Sequence, residues 1–381
     1  MARIPVPAGH HCILDRFGRH CGFCCLSPNT ARSRSSSACP FPDLGPRVCG
    51  VIILNDEETW LDTTEGGAPL IADVVVPVHG HADVAARCIS SLLGQDEPVN
   101  VIVVDDASPD DTAERLRKAF PKLTIIELKD NVGFARACNI GIRAGVADVV
   151  VLVNSDVEAS PDMTSLLADA LKVNGVGSAF PLLLAPDGSV DSYGIVADVT
   201  LAGFVRYHGA PIDVVVDDTR WPAVGPYGAV AAYRRTALSE VGLLDENIFM
   251  YGEELELAFR LRAAGWRSTA VRAARGVHVG GVSSGLGSPR QRYLSAFGRG
   301  YTLRLYRVHV SRFSLRANIT EFLVVMSQLI RARDTAGLRG RWAGWKAARG
   351  LPARRRPNVG LDQSISMGTS LRMRSAGFWA R

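Results

Sequence analysis

Between residues 72 and 153 the chain alternates short β-branched apolar runs with segments of helical periodicity, and nothing else in its 381 residues limits the fold as much. Residues 72–77, 101–104, 123–128 and 149–153 read as strands; residues 84–93, a segment through Arg115, and residues 134–144 read as helices. Strands separated by helices of this length predict right-handed βαβ units and a parallel sheet. The runs at 101–104 and 149–153 are apolar throughout, as in strands covered on both faces. Such sheets bind ligands at the carboxyl ends of their strands.

The fourth strand ends at Asn154-Ser155-Asp156, which puts a carboxylate and an amide oxygen at that edge. Oxygen donors of this kind suit a hard divalent cation facing phosphate oxygens. The alternative is a plain turn that caps the helix announced by Ser160-Pro161-Asp162. The second strand ends in Asp105-Asp106, which either contacts a base or ribose or caps the next helix together with Ser108 and Asp111. No GxGxxG follows the first strand, where Pro77-Val78-His79-Gly80 stands, and no GxxxxGK[ST] loop occurs anywhere. A dinucleotide enzyme and a P-loop enzyme are thereby disfavoured.

The formal charge is +5, and the excess of arginine gathers from Arg331 onward among Trp342, Trp345 and Phe378. That mixture predicts either contact with an anionic membrane surface or a solvated tail. No apolar run reaches the roughly 18–20 residues needed to span a bilayer. Phe322-Leu323-Val324-Val325-Met326 belongs to a core or interfacial helix. Six of the eight cysteines, Cys12, Cys21, Cys24, Cys25, Cys39 and Cys49, fall in the first fifty residues. Cys21 and Cys24 beside His20 make half a zinc pattern, and no second pair completes it. Residues 1–68 are expected to be a disordered, cysteine-rich leader, residues 69–308 the folded domain, and residues 309–381 a helical, basic extension that contacts a membrane. Cys88 and Cys138 are expected as buried, reduced thiols.

Six segments then carry a family resemblance: VVVPVHG, IVVDDASPDDT, NVGFARACNIGI, VLVNSDVEASPD, GAVAAYRRTALSEVGLLDENIFMYGEELELAFRLRAAGW and GVHVGGVSSG. In this order, from about Ala72 to Arg307, they resemble an inverting family-two glycosyltransferase, in particular the bacterial rhamnosyltransferase-like branch. The resemblance implies a GT-A fold, with a Rossmann-like nucleotide-binding half and an acceptor-binding half around one mixed, mostly parallel sheet. By the same resemblance Pro77, His79, Asp106, Asn131, Gly133, Arg136, Asn154 and Gly228 bind the nucleotide-sugar. The triplet at Asn154 takes the place of the family's DxD motif and keeps only the last acid, so Asp156 and His278 are the implied ligands of a divalent cation, Mg or Mn. The glycine-serine run over residues 280–287 is an implied lid. Arg290, Arg292 and Arg299 either neutralise the diphosphate or form a solvated helix face.

The resemblance assigns the catalytic acids to Glu254, as the base that takes the acceptor hydroxyl proton, and to its neighbour Glu253. A structural account also exists, since carboxylates in a first helical turn favour the helix dipole. Glu254 and Glu256 stand where aspartate is usual, and the extra methylene displaces a carboxylate by about a bond length, enough to cost on the order of a hundredfold in rate. The expected function is transfer of a sugar, rhamnose from dTDP-rhamnose first and a UDP-hexose second, to a saccharide or lipid-linked acceptor in cell-envelope polysaccharide synthesis. It would take place in the cytoplasm or at the inner face of the membrane, with no nucleic-acid partner. The rivals are a catalytically inactive nucleotide-sugar-binding relative and a sugar-phosphate nucleotidyltransferase. The latter would need a glycine-rich basic loop after the first strand, which Val78-His79-Gly80-His81 does not supply.

Overall fold

A computed structural model describes residues 70–215, 221–280, 287–375 and 377–379. The expected leader at 1–68, most of the implied lid at 281–286 and the half zinc pattern therefore lie outside the described residues. The first half runs β1 (Ala72–Val78), α1 (Ala82–Leu93), β2 (Val99–Asp105), α2 (Thr112–Ala119), β3 (Thr124–Glu127), α3 (Phe134–Ala144) and β4 (Val149–Val153). It continues through β5 (Val157–Ala159), α4 (Met163–Lys172), β6 (Val176–Leu184), β7 (Val190–Ser192), β8 (Ile195–Asp198) and β9 (Gly203–Val205). The second half comprises β10 (Val230–Arg234), α5 (Arg235–Val241), α6 (Glu253–Ala263), β11 (Arg267–His278), α7 (Pro289–Leu305), α8 (Ser314–Ala332), α9 (Ala336–Ala347), β12 (Leu361–Asp362) and α10 (Met367–Arg372).

The main sheet has the order β3-β2-β1-β4-β10-β6-β11-β5, with β7 paired to β6. Its first four strands are parallel, as the alternating sequence requires. The parallel run ends at β10, which pairs antiparallel with both β4 and β6. Period-two alternation along β1 sends Val74 and Val76 to one face, against Ile89 and Leu92 of α1 and Leu167 of α4. It sends Val75 to the other, against Ile142 of α3, Leu238 of α5 and Leu257 of α6. Cys88 and Cys138 are free and buried in these two layers, and burial pushes the Cys88 thiol up to about 12.

The C-terminal segment is tied into the same body. Its strand β12 pairs parallel with β8 in a separate three-stranded sheet, β12-β8-β9, which the expectation of a single sheet did not include. Several of its arginines make ion pairs with the domain or with one another's partners: Arg316 with Asp198, Arg341 with Glu321, and Arg354 with Asp245 at 2.9 Å and with Glu256. Among the described residues no helix is long and apolar enough to cross a membrane.

Candidate active site

The site is assembled where β1, β2 and β4 end. After β1 the chain turns through Gly80 and His81, both with positive φ, at 75° and 64°. The His79 Nδ1–H donates to the Asp106 carbonyl at 2.8 Å, and the Asn131 amide donates to the ring's Nε2 at 3.2 Å. The Asp105 carboxylate accepts from the Ser108 amide at 2.8 Å, closing a turn ahead of α2 and not capping it, since the N-cap is Asp111 and no side chain bonds there. Asp106 accepts the amides of Val132 and Gly133 at 2.6 and 2.9 Å. Burial raises the Asp106 carboxyl even against these two donors. His79, Asp106, Asn131 and Gly133 thus form one connected cradle just past Pro77 at the end of β1, with the Asp106 side chain organising the 131–133 loop.

Two of the residues expected at the nucleotide also serve contacts within the chain. Gly133 has φ +87°, and a Cβ there would lie 2.6 Å from Phe249, so the missing side chain serves the approach of the Phe249 loop. Arg136 is more than half exposed and faces Glu246 at 3.7 Å.

The turn Asn154-Ser155-Asp156 is stitched to both neighbouring strands. The Asn154 amide donates to the Ala229 carbonyl at 2.9 Å, and the Val279 amide donates to the Asp156 carbonyl at 3.0 Å. This brings His278, the last residue of β11, to Asp156, with Nε2 3.2 Å from Oδ1. The other ring nitrogen lies 2.9 Å from the Asp191 carboxylate on β7. Burial pulls the His278 pKa down, but hydrogen bonds with Asp156 and Asp191, and their charges, outweigh it and raise it to about 9.

Among the described residues no group of three or more His, Cys, Asp or Glu side chains is placed to hold a metal unaided. The residues present nevertheless fit a cation that completes its shell with phosphate oxygens. Asp191 fixes the His278 ring through Nδ1, the kind of outer support usual behind a metal-bound imidazole, and directs Nε2 at Asp156. The Asn154 Oδ1 atom is buried without a partner two residues earlier. An unpartnered buried oxygen costs about 1–3 kcal/mol, so a ligand there would recover stability.

The second pole stands on α6. Gly252, with φ +103°, precedes the helix and donates its amide to Glu254 Oε2 at 3.0 Å. Gly298 of α7 packs on the Tyr251 carbonyl, and a Cβ there would come within 2.3 Å of it. Glu254 lines a cleft of about 490 Å³ together with Tyr227 and Tyr251. Glu253 points inward instead, 3% exposed, with Oε2 unpartnered. Burial raises both carboxyls, and Glu253 is driven well above its ordinary range because the Glu254 charge adds to burial. Glu256 is fully buried and accepts from Arg260 at 2.9 Å and from the Tyr306 hydroxyl at 2.7 Å.

Glu253 therefore carries a stability signature. Its folded pKa lies above the ordinary 4.5, so the fold favours the neutral acid and loses stability as pH rises from that value through the folded pKa. Glu253→Gln is expected to raise Tm at and above neutrality by an amount that shrinks toward acidic pH. Parallel melts of the two proteins across pH check this, and a difference that does not vary with pH refutes it.

Tyr227-Gly228 joins the two poles. The Tyr227 ring meets the His278 ring edge-on with centroids 6.5 Å apart, and a Cβ on Gly228 would lie 3.6 Å from the Glu254 carboxyl carbon. The mixed α/β sheet is of the GT-A class, with the His79–Asp106–Asn131 cradle at one strand edge, an Asp–His pair beside it and a helix-borne glutamate across a glycine. Residues 73–242 match the family model for glycosyl transferase family 2, and this part of the chain is a family-two glycosyltransferase domain. It is 29% identical over 223 residues to an N-acetylglucosaminyl-diphospho-decaprenol L-rhamnosyltransferase of Mycobacterium tuberculosis, covering 52% of this chain and 73% of that protein. It is 30% identical over 221 residues to an N-acetylglucosaminyltransferase of Sinorhizobium fredii, covering 54% of this chain and 52% of that one. The structure of GalNAc-T7 with UDP, GalNAc and Mn2+ shares the fold at TM-score 0.51 and 14% identity, over 75% of this chain and 57% of that one.

Asp191, Tyr227 and Tyr251 were not expected from the sequence. Asp191 lies 87 residues from its partner His278 in an irregular stretch without a motif. Tyr227 could have been found, since it adjoins Gly228 at the head of the fifth matching segment.

Proposed function

We propose that this chain transfers a sugar from a nucleotide-sugar to a saccharide or lipid-linked acceptor with inversion at the anomeric carbon, dependent on Mg2+ or Mn2+. The juxtaposition across Tyr227-Gly228 carries the reading, because it sets an acid–imidazole pair and a carboxylate on two sides of one small backbone segment. The acceptor hydroxyl oxygen attacks the anomeric carbon as the bond from that carbon to the diphosphate oxygen breaks. The bonding pair leaves with the nucleoside diphosphate, and the hydroxyl proton passes to the Glu254 carboxylate. Asp156 and His278 would hold the cation, which supplies Lewis-acid stabilisation of the leaving diphosphate. His79 and Asn131 border the base, and Gly228 leaves room for the sugar.

The mycobacterial relative is named as a rhamnosyltransferase acting on a diphospho-decaprenol acceptor, which favours dTDP-rhamnose and a lipid-linked saccharide. The rhizobial relatives are named as N-acetylglucosaminyltransferases, which keeps a UDP-hexose second. Contact with the inner face of a membrane is supported by α8, whose Leu315, Ile319, Phe322, Met326 and Ile330 recur at helical spacing and are exposed.

The test is a thermal-shift screen of the full chain with dTDP-rhamnose, UDP-glucose, UDP-galactose and GDP-mannose, each with and without Mn2+. One donor is expected to stabilise, and only with the metal. Asp156→Ala is expected to abolish that metal-dependent shift; an unchanged shift in the variant refutes the metal assignment. No shift with any donor would favour an inactive relative.

A further inference from the structure

The cleft that begins at Glu254 ends in a group of charges the proposed reaction does not use. Its far wall is formed by Arg299 of α7, Glu321 of α8, Arg341 of α9 and Arg374 just beyond α10. Arg299 and Arg341 each place Nε 2.7 Å from one oxygen of the Glu321 carboxylate. Burial alone would raise that carboxyl, but the two guanidiniums outweigh it and hold it at about 2. Both Glu321 oxygens are thereby taken. Arg374 enters the same group with no carboxylate partner among the described residues; its Nη1 donates to the Ser370 carbonyl at 2.6 Å and hydroxyl at 2.9 Å. The guanidinium lies over the Phe204 ring, 5.0 Å from its centroid. Desolvation of the guanidinium lowers its pKa to about 10, the charges of Glu321 and Asp198 opposing and those of Arg299 and Arg341 assisting, and it stays charged at neutral pH.

Three guanidiniums thus surround one carboxylate, leaving two positive charges uncompensated in a cleft that also holds the base. Arg299 and Arg341 are mostly buried and share a single carboxylate, Arg374 stands exposed beside them, and a guanidinium's geometry matches phosphate oxygens. We propose that this cluster is a second phosphate site, which binds a phosphate or diphosphate group on the acceptor and so fixes the distance from that group to the hydroxyl presented to Glu254. The inference rests on the transferase reading given above and adds the acceptor's chemistry to it. The donor's diphosphate has its own place at Asp156 and His278, so the acceptor carries the second anion. The phosphate belongs to either a soluble sugar phosphate or a lipid-linked diphosphate. Val324 and Gln328 of α8 also line this end, beside the exposed Leu323 and Met326 of the same helix, which gives a lipid chain a route outward.

The test uses the full chain. Calorimetric titration with dTDP and Mn2+ first reads the donor site by itself. With both at saturation, inorganic pyrophosphate and farnesyl diphosphate are titrated separately into the wild type and Arg374→Gln. Both probes are expected to bind the wild type, and the variant is expected to bind each at least about tenfold more weakly, the loss for one charge-assisted contact, with dTDP affinity unchanged. Tighter binding of farnesyl diphosphate than of pyrophosphate would assign a lipid-linked source; equal affinity would assign a soluble one. Failure of both probes to bind the wild type, or equal affinity in Arg374→Gln, overturns the proposal and leaves the donor site standing. Loss of dTDP binding alone would count against the transferase reading, while the Arg374 comparison would still read the cleft. Should the variant unfold, hydrogen exchange on the wild type decides: pyrophosphate is expected to slow exchange in α10 and β9, and no change there overturns the proposal.

Discussion

Glu254→Gln is expected to lower kcat by about a hundredfold to ten-thousandfold, the contribution of a positioned general base, while leaving donor affinity as it was. The substitution keeps the size and the position on the first turn of α6, and it removes only the ability to accept the acceptor's proton. In the proposed reading donor binding depends on the cradle at His79 and Asn131 and on Asp156 and His278, none of which takes a hydrogen bond from Glu254. The pH profile gives an independent readout. Burial raises the Glu254 carboxyl above its ordinary 4.5, and a base must be deprotonated, so wild-type activity should fall as pH drops through a value above 4.5. The variant should lose that acidic limb. Single-turnover transfer with saturating donor checks the rate, and wild-type activity in the variant would move the base elsewhere.

The sequence raised a doubt about this residue, because glutamate reaches further than aspartate. Geometry supplies a physical answer. The Gly252 amide holds one carboxylate oxygen at 3.0 Å, and the left-handed turn at Tyr251 and Gly252, with φ 71° and 103°, sets where α6 begins. The longer side chain is thus anchored at its tip. The helix dipole explains why acids cluster on this turn, but three acids there meet three different fates. Glu254 lines the cleft, Glu253 turns into the interior, and Glu256 is buried among Arg260, Tyr306 and Arg354.

What was legible in the chain followed the range of the interaction that made it. Strands β1 to β4 and helix α3 could be read within a few residues because period, length and punctuation are local signals. The Asn154-Ser155-Asp156 turn was legible for the same reason. The Asp191–His278 contact was not, since it joins β7 to β11 across a stretch with no repeating pattern. The arginine-rich C-terminal segment was the least legible. Composition reads charge but not partners, and many of these guanidiniums meet acids or carbonyls far away in sequence, as Arg316 meets Asp198 and Arg356 the Val199 carbonyl. Gly133 shows a subtler limit. The resemblance implied a nucleotide contact there, but the group that approaches it is Phe249 of the same chain.

Those distant pairs lead to the second large effect. Glu256→Ala is expected to cost about 3–5 kcal/mol of folding stability, the range for removing one partner of a buried ion pair. Glu256 has no exposed surface, and its two oxygens receive Arg260 Nε, the Tyr306 hydroxyl and Arg354. Truncation leaves the Tyr306 hydroxyl buried without its acceptor and the Arg260 charge unbalanced, although the carbonyls of Val241, Gly242 and Leu243 still bind that guanidinium. Arg354 keeps Asp245 at 2.9 Å. Through this one carboxylate the helix that bears Glu254 is joined to the end of α7 and to the segment after α9. A double-mutant cycle with Arg354→Met should therefore be non-additive, because each single substitution already removes the Glu256–Arg354 contact. Urea unfolding of the two single variants and the double variant measures both quantities. A cost below about 1 kcal/mol for Glu256→Ala, the level of an exposed ion pair, would mean that the C-terminal segment rests against the catalytic helix without holding it.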